Sequence, residues 1–174
     1  MNEEAAAPRT TLAGAVHRLG AKPRAPGERG LPKPEILEAR LGPGGVDRDF
    51  NVYRQDTKHG DPAMAVLLLP LETVDELNRE GWPVRPGDLG ENVTTEGIAY
   101  AELAAPRTLR VGAALLRTTK KCDPCTNLYE LPYVGKSHGP KFLRATLGRR
   151  GWYASVLEPG VVRKGDRIEL LSTA

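Results

Sequence analysis

The sequence is most distinctive at residues 86–97, which read PGDLGENVTTEG. Its three glycines can adopt positive φ angles and can let another chain or a ligand approach closely. Asp88 and Asn92 carry short polar side chains that bond readily to nearby backbone amides. The stretch therefore predicts a shaped loop that turns sharply and leads into a strand.

On both sides of this loop, 15 prolines and 19 glycines divide the chain into short pieces. In these pieces apolar and polar residues alternate more often than they follow a helical period, which favours a sheet-based fold. The run at 65–69 is apolar throughout, as expected for a strand buried on both faces. We predict strands at 16–19, 35–41, 65–69, 108–111, 152–157 and 168–171, with the last two joined as a closing hairpin through 158–160.

Two segments instead have helical spacing. Apolar residues recur three apart from Leu71 to Leu77, with acidic residues between them, and Gly81 is a plausible end. A second, shorter helix is predicted around Phe142, ended by Gly148. Many short strands with few helices predict a mainly β fold, a closed or partly open barrel with two or three short helices, since closure removes exposed strand edges.

Composition limits the classes of function. The 174 residues favour a single domain over 1–174, with a disordered segment at 1–10. A formal net charge of +3 is too small to indicate a nucleic-acid partner. No apolar run approaches the roughly 18 residues of a membrane span, and the first residues lack the pattern of an export signal. We therefore expect a soluble, cytoplasmic protein without a membrane partner.

The two cysteines lie three positions apart in the segment KKCDPCTNL at residues 120–128. Two lysines beside a cysteine favour its thiolate, and a short helix beginning after Pro124 would direct its positive end at Cys125. The residues leave three alternatives open: a buried structural cysteine, a zinc half-site and a dithiol redox pair with Cys122. Further zinc ligands would have to come from the three histidines, His17, His59 and His138.

A third segment, KHGDP at residues 58–62, precedes the buried strand. A histidine in this position is most often a surface or capping residue. Lys58 and His59 could equally present positive charge to an anionic ligand.

Taken in order, these segments resemble the MOSC family, named for the C-terminal domain of molybdenum cofactor sulfurases. The resemblance rests on His59-Gly60, on the string from Gly87 to Asn92, on Pro124-Cys125, and on a terminal stretch with Gly165-Asp166. The Gly-Asp-x-Gly-Glu-Asn string at 87–92 is its most specific part.

The resemblance implies a strand-rich barrel in which Cys125 either ligates molybdenum of the molybdopterin cofactor or carries sulfur as a persulfide. The first role implies an oxidoreductase for N-hydroxylated or similar small compounds, supplied by a separate electron-donor protein. The second implies a non-enzymatic sulfur carrier served by a cysteine desulfurase, because the length leaves no room for a fused donor domain. The family is also associated with pyridoxal phosphate, at the family level only. Cys122 lies outside the general pattern, and this additional, auxiliary thiol could resolve a persulfide, protect the site or have no role.

The resemblance also implies binding residues for the cofactor. Its phosphate would be held by a basic rim of charge-assisted hydrogen bonds. Asp88, Glu91 and Asn92 would either orient the pterin or only hold the loop in shape. The residues expected in the rim are Lys58, His59, Arg117, Lys120, Lys121, Lys141 and Arg144.

Overall fold

The computed structural model describes residues 10–172 and is built mainly from short strands. The strands are β1 (Thr10–Gly20), β2 (Glu35–Ile36), β3 (Glu38–Gly42), β4 (Gly45–Val46), β5 (Val66–Pro70), β6 (Val93–Glu96), β7 (Thr108–Val111), β8 (Ala114–Lys121), β9 (Trp152–Glu158), β10 (Gly160–Arg163) and β11 (Arg167–Leu171). The α-helices of this described part are α1 (Leu71–Arg79) and α2 (Gly135–Thr146). Shorter helical turns lie at Tyr53–Thr57, Pro62–Met64, Tyr100–Leu103 and Thr126–Glu130.

The main sheet closes into a barrel. Its strands follow the order β11-β7-β8-β9-β5-β6-β1, and β11 pairs again with β1 to complete the ring. Strands β5 and β6 run parallel, and the other barrel neighbours are antiparallel. Strand β2 extends β1, while β10, β3 and β4 form a separate small sheet. The predicted mainly β barrel with a few helices is confirmed.

The apolar pattern explains where the elements pack. All five residues of β5 are buried, because the barrel interior covers one face and the helices cover the other. Leu68 belongs to the interior core, and Leu69 packs with Val74 and Leu77 of α1 and with Phe142 of α2. The amphipathic helix laid on the barrel is thus confirmed, and Gly81 follows its end with a φ of 96°.

Two strand predictions need correction. The strand expected at 35–41 is broken at Leu37, which is 72% exposed, so that β2 joins the barrel and β3 joins the small sheet. The expected closing hairpin is wrong: β9 pairs with β5 and β8, whereas β11 pairs with β1 and β7. The reason is that Gly160–Arg163 is itself a strand, paired with β3, and not part of a turn.

Two further elements differ from the sequence expectations. Strand β8 was not among the predicted strands, although its buried positions alternate from Ala114 to Thr118 as the barrel requires. Helix α2 begins at Gly135, earlier than the short helix expected around Phe142, and it contains Pro140. The segment 1–10, expected to be disordered, lies outside the described residues except for Thr10, which begins β1. None of the helices in the described part is long and apolar enough to cross a membrane.

Candidate functional site

A cavity of about 340 Å³ opens at one end of the barrel, where the chain after β8 meets the start of β9. Its walls bring together residues that are far apart in the sequence. Those that carry a thiol or a positive charge are Arg29, Lys58, Lys120, Lys121, Cys125 and Arg150. Of the predicted site residues, the structure therefore collects Lys58, Lys120, Lys121 and Cys125 around one cavity.

Cys125 is the cysteine that faces this cavity. It is half-buried and immediately precedes the 3₁₀ turn Thr126–Glu130, where its carbonyl accepts a hydrogen bond from the amide of Leu128 at 3.0 Å. The short helix predicted after Pro124 is thus confirmed, as a single 3₁₀ turn. The turn fixes the backbone of Cys125 and leaves its sulfur directed to the cavity side.

Arg150 forms a hydrogen bond to the sulfur of Cys125. Its Nη1 donates to the Cys125 Sγ at 3.3 Å and to the carbonyl of Asp123 at 2.8 Å, and its Nε donates to the carbonyl of Leu89 at 3.4 Å. Burial opposes the charge of this guanidinium, but the Cys122 and Cys125 sulfurs outweigh burial and raise the pKa of Arg150 above its ordinary value. Arg150 therefore joins the glycine-rich loop to the cysteine segment.

Cys122 lies behind the cavity wall and does not line it. It is 2% exposed and packs with Met64, Leu67 and Tyr153. Its sulfur lies 3.2 Å from the Tyr153 hydroxyl, and burial raises the pKa of the Cys122 thiol. Both cysteines are free thiols, but they occupy different environments.

The rim of the cavity is basic and partly aromatic. The ammonium of Lys58 lies 5.4 Å from the ring centroid of Tyr53, and that of Lys121 lies 5.5 Å from the ring centroid of Trp152. Lys120 pairs with Asp61 at 3.1 Å. The π-helical turn that carries Tyr53 begins the segment that ends in Lys58, and turns of this kind occur often at functional sites.

The turn is anchored by a buried arginine. The Nε of Arg54 donates to the carbonyl of Asp61 at 3.2 Å, and its Nη2 donates to the carbonyl of Gly60 at 3.4 Å. The backbone amide of Arg54 is itself held by the side chain of Asn51 at 3.0 Å. These contacts fix the segment that presents Lys58 to the cavity.

Four of the basic residues expected in the rim lie elsewhere. His59 is exposed and does not line the cavity; its φ of 51° places it in the left-handed region. Arg117 is exposed on β8. Lys141 and Arg144 lie on α2, where Lys141 borders a separate surface pocket beside Trp82.

Glu91 and Asn92 are buried inside the protein and do not line the cavity. Glu91 Oε1 accepts hydrogen bonds from the amide of Gly87 at 2.5 Å and from the Thr94 hydroxyl at 3.1 Å. Burial raises the pKa of Glu91 despite these bonds. Its position favours the alternative in which it shapes the loop.

Asp88 also serves the loop. Its Oδ2 accepts from the amide of Arg85 at 2.9 Å and from the Tyr133 hydroxyl at 2.9 Å. The loop glycines have the positive φ angles that the sequence predicted, 95° at Gly87 and 87° at Gly90. Arg85 to Asn92 is therefore a rigid wall element, and Gly90 is the point where it reaches the cavity.

The positions of the histidines and cysteines bear on two alternatives that the sequence left open, a zinc half-site and a dithiol pair. His17 is bonded to Glu96 at 3.3 Å, and His138 lies on α2. Residues 10–172 contain no group of three or more His, Cys, Asp or Glu side chains placed to hold a metal ion. The buried Cys122 and the half-buried Cys125 differ in exposure, so only Cys125 faces a ligand directly.

Sequence reasoning missed Arg150 and Arg29 as cavity residues. Arg150 stands among basic residues after α2, where a charged side chain usually points to solvent. The local pattern does not distinguish it from Arg149 by residue type. A detectable hint is its position directly before Gly151 and the aromatic start of β9.

The chain combines a closed β barrel with a cavity that contains a free cysteine. The sequence model of the MOSC domain family matches residues 55–169. The chain therefore belongs to the MOSC domain family, as the sequence resemblance indicated, and this family is associated with molybdenum cofactor binding. Its organisation as one domain over 1–174 stays a prediction.

Relatives and solved structures agree with this assignment. The chain is 31% identical over 120 residues to protein YiiM of Escherichia coli, and 30% identical over 121 residues to the uncharacterised protein YflK of Bacillus subtilis. Each match covers 66% of this chain and 51% of the relative, so the chain spans about half the length of these curated relatives.

Among solved structures, the YuaD protein of Bacillus subtilis superimposes with a TM-score of 0.77 at 20% identity, covering 94% of this chain and 98% of that one. The YiiM protein of Geobacillus stearothermophilus superimposes with a TM-score of 0.68 at 23% identity, covering 91% of this chain and 75% of that one. These likenesses establish the shared fold.

Proposed function

We propose that this chain is a molybdenum-cofactor-binding oxidoreductase domain in which Cys125 ligates the metal. The substrates are N-hydroxylated or similar small compounds, and the electrons come from a separate donor protein. The observation that carries the proposal is the half-buried sulfur of Cys125 facing a cation-rich cavity. A cytoplasmic location belongs to the same proposal, because free thiols persist in a reducing compartment.

The residues of the cavity fit the group that the family implies. A cysteine thiolate is a soft ligand suited to a transition metal. The rim cations Arg29, Lys58 and Lys121 match the phosphate of molybdopterin, since charge-assisted bonds to phosphate are strong. The cavity volume, about 340 Å³, falls within the range of small-molecule sites.

Each residue has a distinct task in this proposal. Cys125 would hold the molybdenum, and the bound cofactor would supply two-electron redox chemistry at the metal. Arg150 fixes the sulfur of Cys125 through its bond of 3.3 Å and carries a permanent charge into the floor of the cavity. Lys58 and Lys121 bind the anionic parts of the ligand at the mouth.

Metal content tests the proposal. The chain, produced in cells that make the cofactor, should contain molybdenum by elemental analysis, and Cys125→Ser should contain little or none. Cys122→Ser is the matched control, because Cys122 does not line the cavity. Equal molybdenum in Cys125→Ser and the unmodified chain would contradict the role of Cys125, and a chain that never loads molybdenum in such cells would refute the proposed function.

A second candidate function is a sulfur carrier in which Cys125 holds a persulfide donated by a cysteine desulfurase. The bond from Arg150 to the Cys125 sulfur favours it, because cationic surroundings stabilise sulfur anions. After incubation with a desulfurase and cysteine, mass spectrometry should find one added sulfur on the peptide with Cys125. Sulfur on Cys122 alone would exclude this assignment.

A further inference from the structure

The buried guanidinium of Arg150 has no carboxylate partner. It is 5% exposed, and no Asp or Glu of residues 10–172 lies within ion-pair distance of it. Its partners are the carbonyls of Asp123 and Leu89 and the sulfur of Cys125. A buried charge without a counter-charge is costly, and arginine cannot release its proton to avoid the cost. Apart from the sulfurs of Cys122 and Cys125, the described chain supplies no anion to Arg150, and the arrangement therefore suits an anionic ligand beside it.

One edge of this guanidinium remains free for that anion. Nη1 and Nε bond to the protein, whereas Nη2 makes no hydrogen bond to the described chain. Nη2 is also not among the fully buried polar atoms that lack a partner, so it is accessible from the cavity. Arg150 lines the cavity together with Cys125. An N–H donor is thus available to a ligand next to the sulfur.

The other charged side chains that line the cavity are mostly positive, like Arg150. Within residues 10–172, Arg29, Lys58 and Lys121 line the cavity without a carboxylate partner. Asp123 is the acidic residue among the lining residues of this described part. A concave site lined by one sign of charge concentrates ligands of the opposite sign.

We propose that Arg150 is a ligand-contacting residue that binds the anionic reactive end of a small molecule directly beside the Cys125 sulfur. The inference deepens the proposed function, on which it rests, because it narrows the similar small compounds of that proposal to those with an anionic reactive end, N-hydroxyl groups themselves being neutral at neutral pH. Arg150 acts through its fixed positive charge and its planar donor edge, which suits oxygen anions.

Two alkylating reagents of similar size test the inference without molybdenum. Iodoacetate carries a negative charge, and iodoacetamide is neutral. With either reagent the Cys125 sulfur forms a bond to carbon, the carbon–iodine bond breaks, and iodide leaves. The ratio of the two rates is independent of the ionised fraction of the thiol, which enters both rates equally. The ratio therefore reports anion recognition alone.

We expect the ratio of the iodoacetate rate to the iodoacetamide rate to be higher for Cys125 than for the thiol of glutathione. Mass spectrometry of the peptide that contains Cys125 measures both rates. Arg150→Met should lower the ratio by about fivefold or more, because one charge near the reacting atom is lost. Arg150→Lys should retain part of the preference. Arg117→Met is the matched control and should keep the unmodified ratio, since Arg117 is exposed outside the cavity.

A measurement on the unmodified chain covers the case in which Arg150→Met does not fold. Sodium sulfate should slow iodoacetate at Cys125 at least twofold more than sodium chloride of equal ionic strength, because sulfate competes for Arg150. An unchanged ratio in folded Arg150→Met, or no specific effect of sulfate, would overturn the inference. A chain that prefers iodoacetate but never loads molybdenum would refute the proposed function and support the anion site.

Discussion

The side chain of Asn92 accepts a hydrogen bond from the amide of Leu67 at 3.0 Å and thereby ties the glycine-rich loop to the buried strand β5. The same side chain donates to the carbonyl of Gly20 at 3.2 Å and to Asp49 at 2.9 Å. One buried amide thus connects four segments, and Asp49 extends the network to the buried Lys33 at 2.5 Å.

Asn92→Ala should destabilise the protein by about 2–4 kcal/mol, because it leaves several buried polar groups without partners. Chemical denaturation with urea measures the free energy of unfolding. Asn127→Ala is the control, since the Asn127 side chain makes no hydrogen bond within the described chain, and it should change stability by less than about 0.5 kcal/mol. Equal effects of the two substitutions would contradict the network.

The buried carboxyl of Glu91 should make the free energy of unfolding depend on pH. Burial raises the pKa of this carboxyl in the folded state above the ordinary value of 4.5. The contribution of Glu91 to stability is therefore fully present below pH 4.5 and is lost as the pH rises towards the raised folded pKa, because the unfolded chain releases the proton first.

Glu91→Gln should remove this dependence. The amide keeps an oxygen for Gly87 and Thr94 and places a neutral group where Oε2 has no partner. The stability difference between variant and unmodified chain should shift in favour of the variant between pH 4 and pH 7, on the order of 1 kcal/mol per unit of pKa shift. A difference that stays constant with pH would show that Glu91 is ionised in the fold.

The two thiols should differ in reactivity. Under native conditions N-ethylmaleimide should label Cys125 at least about tenfold faster than Cys122, which is buried and has a raised pKa. Peptide mass spectrometry separates the two sites. Labelling after denaturation is the reference, because both thiols should then react equally. Equal labelling rates in the folded protein would contradict the placement of Cys122 behind the cavity.

Local patterns were enough to predict part of the fold. The glycines of residues 86–97 and the spacing of Leu71, Val74 and Leu77 specify a loop and a helix through short-range geometry, and both were predicted. The strand pairing was not predicted: the stretch that contains β10 was expected to be part of a turn, whereas β10 pairs with β3, more than a hundred residues earlier in the chain. Pairing at that distance leaves no local signal.

The same dependence on long-range pairing explains why only part of the candidate site could be predicted from the sequence. Cys125 was selected over Cys122 by its place in the Pro-Cys pattern of the family resemblance. Arg150 reaches its sulfur only because β9 pairs with β8 in a register that sets Lys121 opposite Trp152. Glu91 and Asn92 looked functional in sequence because they are polar within a glycine-rich loop. Their burial and hydrogen bonds place them in the structure of the loop.

The most direct test of the account is X-ray absorption at the molybdenum edge of the loaded protein. We expect the metal to have one sulfur neighbour fewer in Cys125→Ser than in the unmodified chain, measured in the fraction of the variant that retains molybdenum. Cys122→Ser should match the unmodified chain. An identical sulfur shell in Cys125→Ser at full molybdenum content would show that Cys125 is not the ligand.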